Sequence, residues 1–331
     1  MTAMHPMSRR TFVAAMGAAS LLPGSLRADQ YPSKTIRLVA SYPPGGGTDF
    51  MARLIAERLQ AKWGQPVVVD NRAGGLGVIG AQAAATAKPD GYTLYVGSSD
   101  LFVLLPLQYQ NLPLDPAASF IPIAPIANQY QVVVVHPSVP VNSLQELVAL
   151  AKSRPGQMNF ASQGTATLGH LAGELFQART GTKMTHIAYK GTAPAVTELL
   201  SGQGPTVMFG MMGTVAAYVK AGKLRALAVT SPGHSLVLPQ VPSAAEAGLR
   251  DFVLGAWNGV FAPAGTPAAI VDQLNAAIRE ALQMPEAADR LTKAGFEPVI
   301  ATPAEFTALI KSDQQKWSQV VRDAGIQKQT L

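Results

Sequence analysis

Short β-branched runs alternate with helix-period segments along most of this chain, and that alternation leaves few folds open. Residues 35–41, 66–70 and 93–97 read as strands, with helices over 50–62 and 78–87 between them. A βαβαβ order of this kind requires a parallel sheet wrapped by helices. The pattern then restarts. Strands are expected over 132–135, 158–161, 184–189, 206–209 and 224–230, with helices over 141–154, 168–179, 193–201 and 215–221. Ser143 followed by Glu146 marks a capping box at the start of one of them. A long strand over 252–262 and helices over 268–283, 286–294 and 303–324 end the chain, and this last block should pack back on the first unit. The expected architecture is α/β with two lobes, residues 29–130 plus 252–331 and residues 131–251, and a ligand cleft between them.

Two strand-to-helix turns sit at equivalent places in the two units. The first is Ser41-Tyr42-Pro43-Pro44-Gly45-Gly46-Gly47-Thr48-Asp49. Three glycines let bare N–H groups face outward, and the following helix adds the positive end of its dipole, so the turn suits an anion. It lacks the Gly-Lys-Ser/Thr ending of a Walker A loop, which favours a carboxylate over a triphosphate. A tight connection with Thr48 or Asp49 as N-cap is the simpler reading. The second turn is Ser162-Gln163-Gly164-Thr165-Ala166-Thr167. In open α/β sheets ligands bind at the carboxyl ends of strands, so the pair could form a two-jawed clamp.

Other candidates are weaker. Ser98 and Ser99 end a strand on the expected cleft side, and Tyr189-Lys190 end another; each could touch a ligand or simply turn the chain. Gly75-Leu76-Gly77-Val78-Ile79-Gly80 matches a dinucleotide fingerprint but does not turn straight out of the first strand, so it reads as a decoy. His136, His170, His186 and His234 are scattered in sequence, and the chain has no cysteine. With no metal-binding or nucleophile motif visible, no cofactor, no metal and no catalysis are expected.

The 26 Lys and Arg exceed the 20 Asp and Glu by six, but Arg9, Arg10 and Arg27 fall in the first 28 residues, which hold no acid and no lysine. The remainder carries only +3 and shows no basic run, which argues against nucleic acid as a partner. Ser8-Arg9-Arg10-Thr11-Phe12, a short apolar stretch and Ala28 read as a twin-arginine-like export signal over residues 1–28, with Met7 as an alternative start. The mature protein is expected in the periplasm, as a monomer.

Several stretches, in order, resemble the Bug family, the TctC-type receptors of tripartite tricarboxylate transporters. They include the Pro43–Asp49 turn, Gly64-Gln65-Pro66-Val67-Val68-Val69, Pro89-Asp90-Gly91-Tyr92-Thr93-Leu94, His170-Leu171-Ala172-Gly173-Glu174-Leu175-Phe176, Tyr189-Lys190-Gly191 and Pro263-Ala264-Gly265-Thr266-Pro267. The resemblance implies a type II periplasmic binding protein that holds a small organic carboxylate on two loops, matching residues 42–49 and 162–167, and passes it to membrane subunits of the transporter. A periplasmic receptor feeding a sensor kinase shares this fold, and an exported α/β enzyme is the reading of another class. The chain departs from the family pattern at Leu168 and Gly169, where serines are usual, and at Gly210, Met211 and Met212, where an acid is frequent. Those departures lead us to expect an apolar or aromatic ligand body, rather than an amino acid whose ammonium needs an anion partner.

Overall fold

The computed structural model describes residues 31–165 and 167–330, so the expected export signal and Ala166 lie outside the described residues. Residues Pro32–Leu331 form one compact unit. Its first strand, β1 (Ile36–Ala40), is apolar and buried except at Arg37, as parallel strands covered on both faces largely are. Helix α1 (Gly47–Trp63) follows, then β2 (Val67–Asn71), α2 (Val78–Ala85) and β3 (Thr93–Ser98). β1 pairs in parallel with both β2 and β3, giving the order β2-β1-β3.

Residues 99–119, unassigned from sequence, fold into a π-helical turn (Asp100–Leu104), α3 (Leu105–Gln108), β4 (Tyr109–Gln110) and α4 (Pro116–Ser119). The next strand, β5 (Phe120–Val135), is 16 residues long and begins 12 residues before the expected start. The chain continues through α5 (Leu144–Ser153), β6 (Asn159–Ser162), α6 (Leu168–Thr180), β7 (Thr185–Ala188), α7 (Thr192–Ser201), β8 (Val207–Met211), α8 (Met212–Lys220) and β9 (Arg225–Val229). It closes with β10 (Gly255–Pro263), α9 (Ala268–Gln283), α10 (Pro285–Lys293), β11 (Glu297–Pro298), α11 (Pro303–Asp323) and β12 (Gln329–Thr330). Ser143 caps α5, accepting from the Glu146 N–H; the Glu146 carboxylate reaches the Asn142 N–H instead of completing the reciprocal box.

β5 joins two sheet regions. Residues 120–130 pair antiparallel with β10, which pairs with β3; residues 131–135 pair antiparallel with β8 and β9, and β8 leads through parallel β6 to β7. The C-terminal segment returns to the first region, where β11 lies along β5 and Trp257 and Phe261 of β10 pack on Phe306 of α11. The indole N–H of Trp257 donates to buried Asp313 at 3.0 Å.

One buried hydroxyl ties the strands where the regions meet. Thr230 Oγ1 accepts from the Gln131 N–H at 2.8 Å and donates to the Leu254 carbonyl at 2.5 Å, linking β5, the end of β9 and the entry to β10. Thr230→Val keeps the shape but strands both backbone groups in a site closed to water. Each unpaired buried group costs about 1–3 kcal/mol, so chemical denaturation should show a loss of about 2–4 kcal/mol.

Candidate functional site

The first glycine turn is built to leave donors free. Helix α1 begins at Gly47, three residues before the expected start, and its N-cap is Gly46 rather than Thr48 or Asp49. A glycine N-cap has no side chain to offer, so the N–H groups of the first turn receive no side-chain cap. Gly45 takes φ 85°, a conformation that favours glycine and bends the chain into the helix.

Asp49 serves as the scaffold beneath this turn. Its carboxylate accepts from the Gly45 N–H at 2.9 Å, from Arg53 at 3.0 Å and from Asn71 Nδ2 at 2.9 Å. Burial alone would raise the carboxyl's pKa, but these bonds outweigh it and hold Asp49 below the usual range. Asn71 also donates to the Tyr42 carbonyl, and Thr48 Oγ1 donates to Asn258 of β10 at 3.0 Å. The turn is therefore fixed before any ligand arrives, which spares binding a cost of ordering.

The second turn follows β6. Ser162 Oγ donates to the Gly164 carbonyl at 2.8 Å and lies 2.7 Å from His186 Nε2. The one hydroxyl proton is thus committed, and His186 Nε2–H donates to Ser162 Oγ. Thr167, the N-cap of α6, also turns its hydroxyl to the Gly164 carbonyl at 2.7 Å, so it does not cap the helix. As at α1, the N-terminal turn of α6 is left open.

Two adjoining cavities bring these turns together. One, of about 340 Å³, is bounded by Tyr42, Asp100, Thr165, Thr167, Leu168 and Met211. The other, of about 480 Å³, is bounded by Pro44, Gly46, Gly47, Thr48 and Ser98, and shares Tyr42, Asp100 and Met211 with the first. Leu76, Leu104 and Leu105 add apolar wall, and Gln108 and Gln163 add polar groups. Among the described residues, no Lys, Arg or His lines either cavity. Lys190 is exposed outside both.

Other expected contacts are placed elsewhere. Gly45 borders a neighbouring surface hollow with Phe50 and Phe296. Ser99 and Ser162 are buried, and Gly210 is enclosed in β8, where a Cβ would meet Val215 at 2.7 Å. Gly164 (φ 146°) shapes the second turn, and Tyr189 packs with the apolar cluster of the second sheet region; neither lines the cavities.

Two groupings were invisible in the sequence. His170 and His186, 16 positions apart and expected to be scattered, stack at 3.9 Å between ring centroids beneath the second turn. Asp100 stands in the cleft, where an anion partner was not expected; Tyr42 and Ser98 both donate to its Oδ2 at 3.3 Å. Burial pushes the Asp100 carboxyl up, against the pull of the two hydroxyls. Burial and then the Asp100 carboxylate push the Tyr42 phenol up. The available signal was an acid directly after Ser98-Ser99, which end a strand on the expected cleft side, but the sequence does not show that the chain rolls back there.

His186 makes a pH prediction. Burial, then the stacked His170, lower its pKa from 6.5 to about 4. The unfolded chain takes up this proton below about pH 6.5 while the folded one resists until about pH 4. Stability is thus complete above that window, lost as pH falls through it, and stays at the reduced level below it. The full shift would be about 3 kcal/mol, but the ring is only half buried and solvent screening brings the expected loss to about 1–2 kcal/mol. Melting temperatures from pH 7 to 4 should show this slope, and His186→Gln should reduce it.

Comparison with known proteins gives the chain's relatives. The profile of the tripartite tricarboxylate transporter family receptors, TctC, matches residues 51–326. Protein BugT of Bordetella pertussis is 40% identical over 315 residues, covering 95% of both chains. Among solved structures, Rhodopseudomonas palustris Rpa4515 with adipate aligns with a TM-score of 0.75 at 33% identity, covering 90% of this chain and 100% of that one. MatC from Rhodopseudomonas palustris with bound malate aligns at 0.69 and 30% identity, covering 88% and 100%.

Proposed function

The chain belongs to the TctC family of tripartite tricarboxylate transporter receptors, and from that premise we propose that it captures a small, apolar-bodied organic carboxylate in the periplasm and delivers it to the transporter's membrane subunits. The family consists of two-lobed periplasmic solute-binding proteins. We place the lobes at residues 29–130 with 252–331 and at residues 131–251, and the carboxylate on residues 46–48 and 163–168.

The observation that carries this reading is the pairing of two uncapped helix N-termini on adjoining cavities that, among the described residues, no cationic side chain lines. Backbone N–H groups and helix dipoles attract a compact anion. The leucines and Met211 along the cavity favour an apolar remainder. Bound adipate in Rpa4515 and bound malate in MatC support carboxylate as the shared handle.

A thermal-shift screen of small carboxylates against their primary amides tests the reading. At a hundredfold excess over Kd, a ligand specific to the folded state stabilises it by about 2.7 kcal/mol. An acid should raise the melting temperature and its amide should not. Equal shifts for both would remove the carboxylate from the account. For delivery, deleting the gene should abolish uptake of the identified acid; unchanged uptake would count against it.

A further inference from the structure

Resting on the carboxylate reading, we propose that this receptor selects acids that also carry a protonated amine, with Asp100 as the partner of the ammonium group.

Asp100 opens the π-helical turn Asp100–Leu104, and residues 100, 104, 105 and 108 recur at helical spacing along one cavity wall. The carboxylate borders both cavities, so it shares space with each of the open helix N-termini. Two hydrogen bonds support its charged form as an acceptor: Tyr42 OH and Ser98 Oγ both donate to its Oδ2, and bonds of this kind favour the ionised carboxylate. The charge nevertheless has no cation beside it: among the described residues, no cationic side chain lines either cavity. Burial accordingly disfavours the ionised form when the cleft is empty.

A purely anionic ligand would set a second negative charge in the same enclosed space. A ligand with an ammonium group converts that repulsion into an ion pair and gives the half-buried carboxylate a cationic partner. Leu76, Leu104, Leu105, Leu168 and Met211 line the same cavity as Asp100 and the second turn. The ligand is therefore a zwitterion: carboxylate on the loops, apolar body against the leucines, ammonium at Asp100.

Calorimetry with three matched pairs tests this: leucine and 4-methylpentanoate, phenylalanine and 3-phenylpropanoate, 4-(aminomethyl)benzoate and 4-methylbenzoate. In the intact protein the amine-bearing member of at least one pair should bind tenfold or more tightly than its counterpart. Asp100→Asn, which keeps the side-chain shape, should invert that preference: amine-bearing acids weaken at least tenfold, and amine-free acids bind more tightly than before. Asp100→Ala should do the same, and melting of both ligand-free variants shows that they fold. Amine-free acids preferred in every pair, or an amine preference that survives both substitutions, overturns the assignment of Asp100 while leaving the carboxylate reading in place. Binding of neither class would overturn the carboxylate reading and this assignment together.

Discussion

A Gly46→Asp variant should be as stable as the parent protein or slightly more so, and should bind the ligand at least a hundredfold more weakly. The two effects have one cause. Gly46 is the N-cap of α1 with φ −81° and ψ 171°, backbone that any residue adopts, and an added Cβ would meet only the Pro43 carbonyl oxygen at 3.5 Å. An aspartate at an N-cap bonds back to the N–H groups of the second and third helical residues, here Thr48 and Asp49, and its charge favours the positive end of the dipole. The gain in stability should be about 0.5–1 kcal/mol. The same carboxylate then occupies the donors assigned to the ligand and repels the ligand's own charge. A hundredfold loss corresponds to about 2.7 kcal/mol. Paired melting and calorimetry measurements check it. A stable variant with unchanged affinity would remove the first turn from the site.

The second large effect is expected at Gly295. Its φ is 84°, and an added Cβ would stand 2.3 Å from Gly213 Cα and 2.7 Å from Gly213 N at the start of α8. Those are backbone atoms, so no rotamer change relieves the overlap, and the two segments must part. The neighbouring Phe296 ring lies against Gly47 at the start of α1 and stacks on Phe50. Prying Gly295 from α8 therefore disturbs a contact that reaches the first turn. Gly295→Ala combines a left-handed backbone cost of about 1–2 kcal/mol with overpacking of about 1–3 kcal/mol. Denaturation should show a loss of about 2–4 kcal/mol, and ligand affinity should fall at least tenfold. Gly222→Ala is the control: its φ is 69°, but nothing lies within 4 Å, so only the backbone cost applies. Equal losses for the two variants would show that the close approach contributes nothing.

Much of this architecture was legible because local chemistry agreed with tertiary placement. Four of the five residues of β1 are apolar and buried, with only Arg37 partly exposed, as suits a strand between two others, and the three glycines after it mark where the chain must turn into a helix. The long strand β5 was not legible. Pro122 and Pro125 break its apolar run, and both stand next to register shifts against β10, where a missing N–H is tolerated. The bracing role of Asp49 was not visible for a related reason. A carboxylate in a glycine turn suggests a cap or a contact, and only Asn71, 22 positions away, and Arg53 reveal it as the strut beneath the turn. Asp100 and the stacked His170–His186 pair depend on long-range folding and leave no periodic trace. The two glycine-bearing turns proposed to hold the ligand could be located from sequence; the groups that brace them required the fold.

The central claim is that a carboxylate sits between the open N-termini of α1 and α6. The most direct test is a crystal structure of the protein with the tightest acid from the thermal-shift screen. The expected result places the carboxylate oxygens about 2.7–3.2 Å from N–H groups of residues 47–49 and of the second turn, directly or through one water. A carboxylate that lies outside these cavities, or inside them with its oxygens on neither turn, would contradict it.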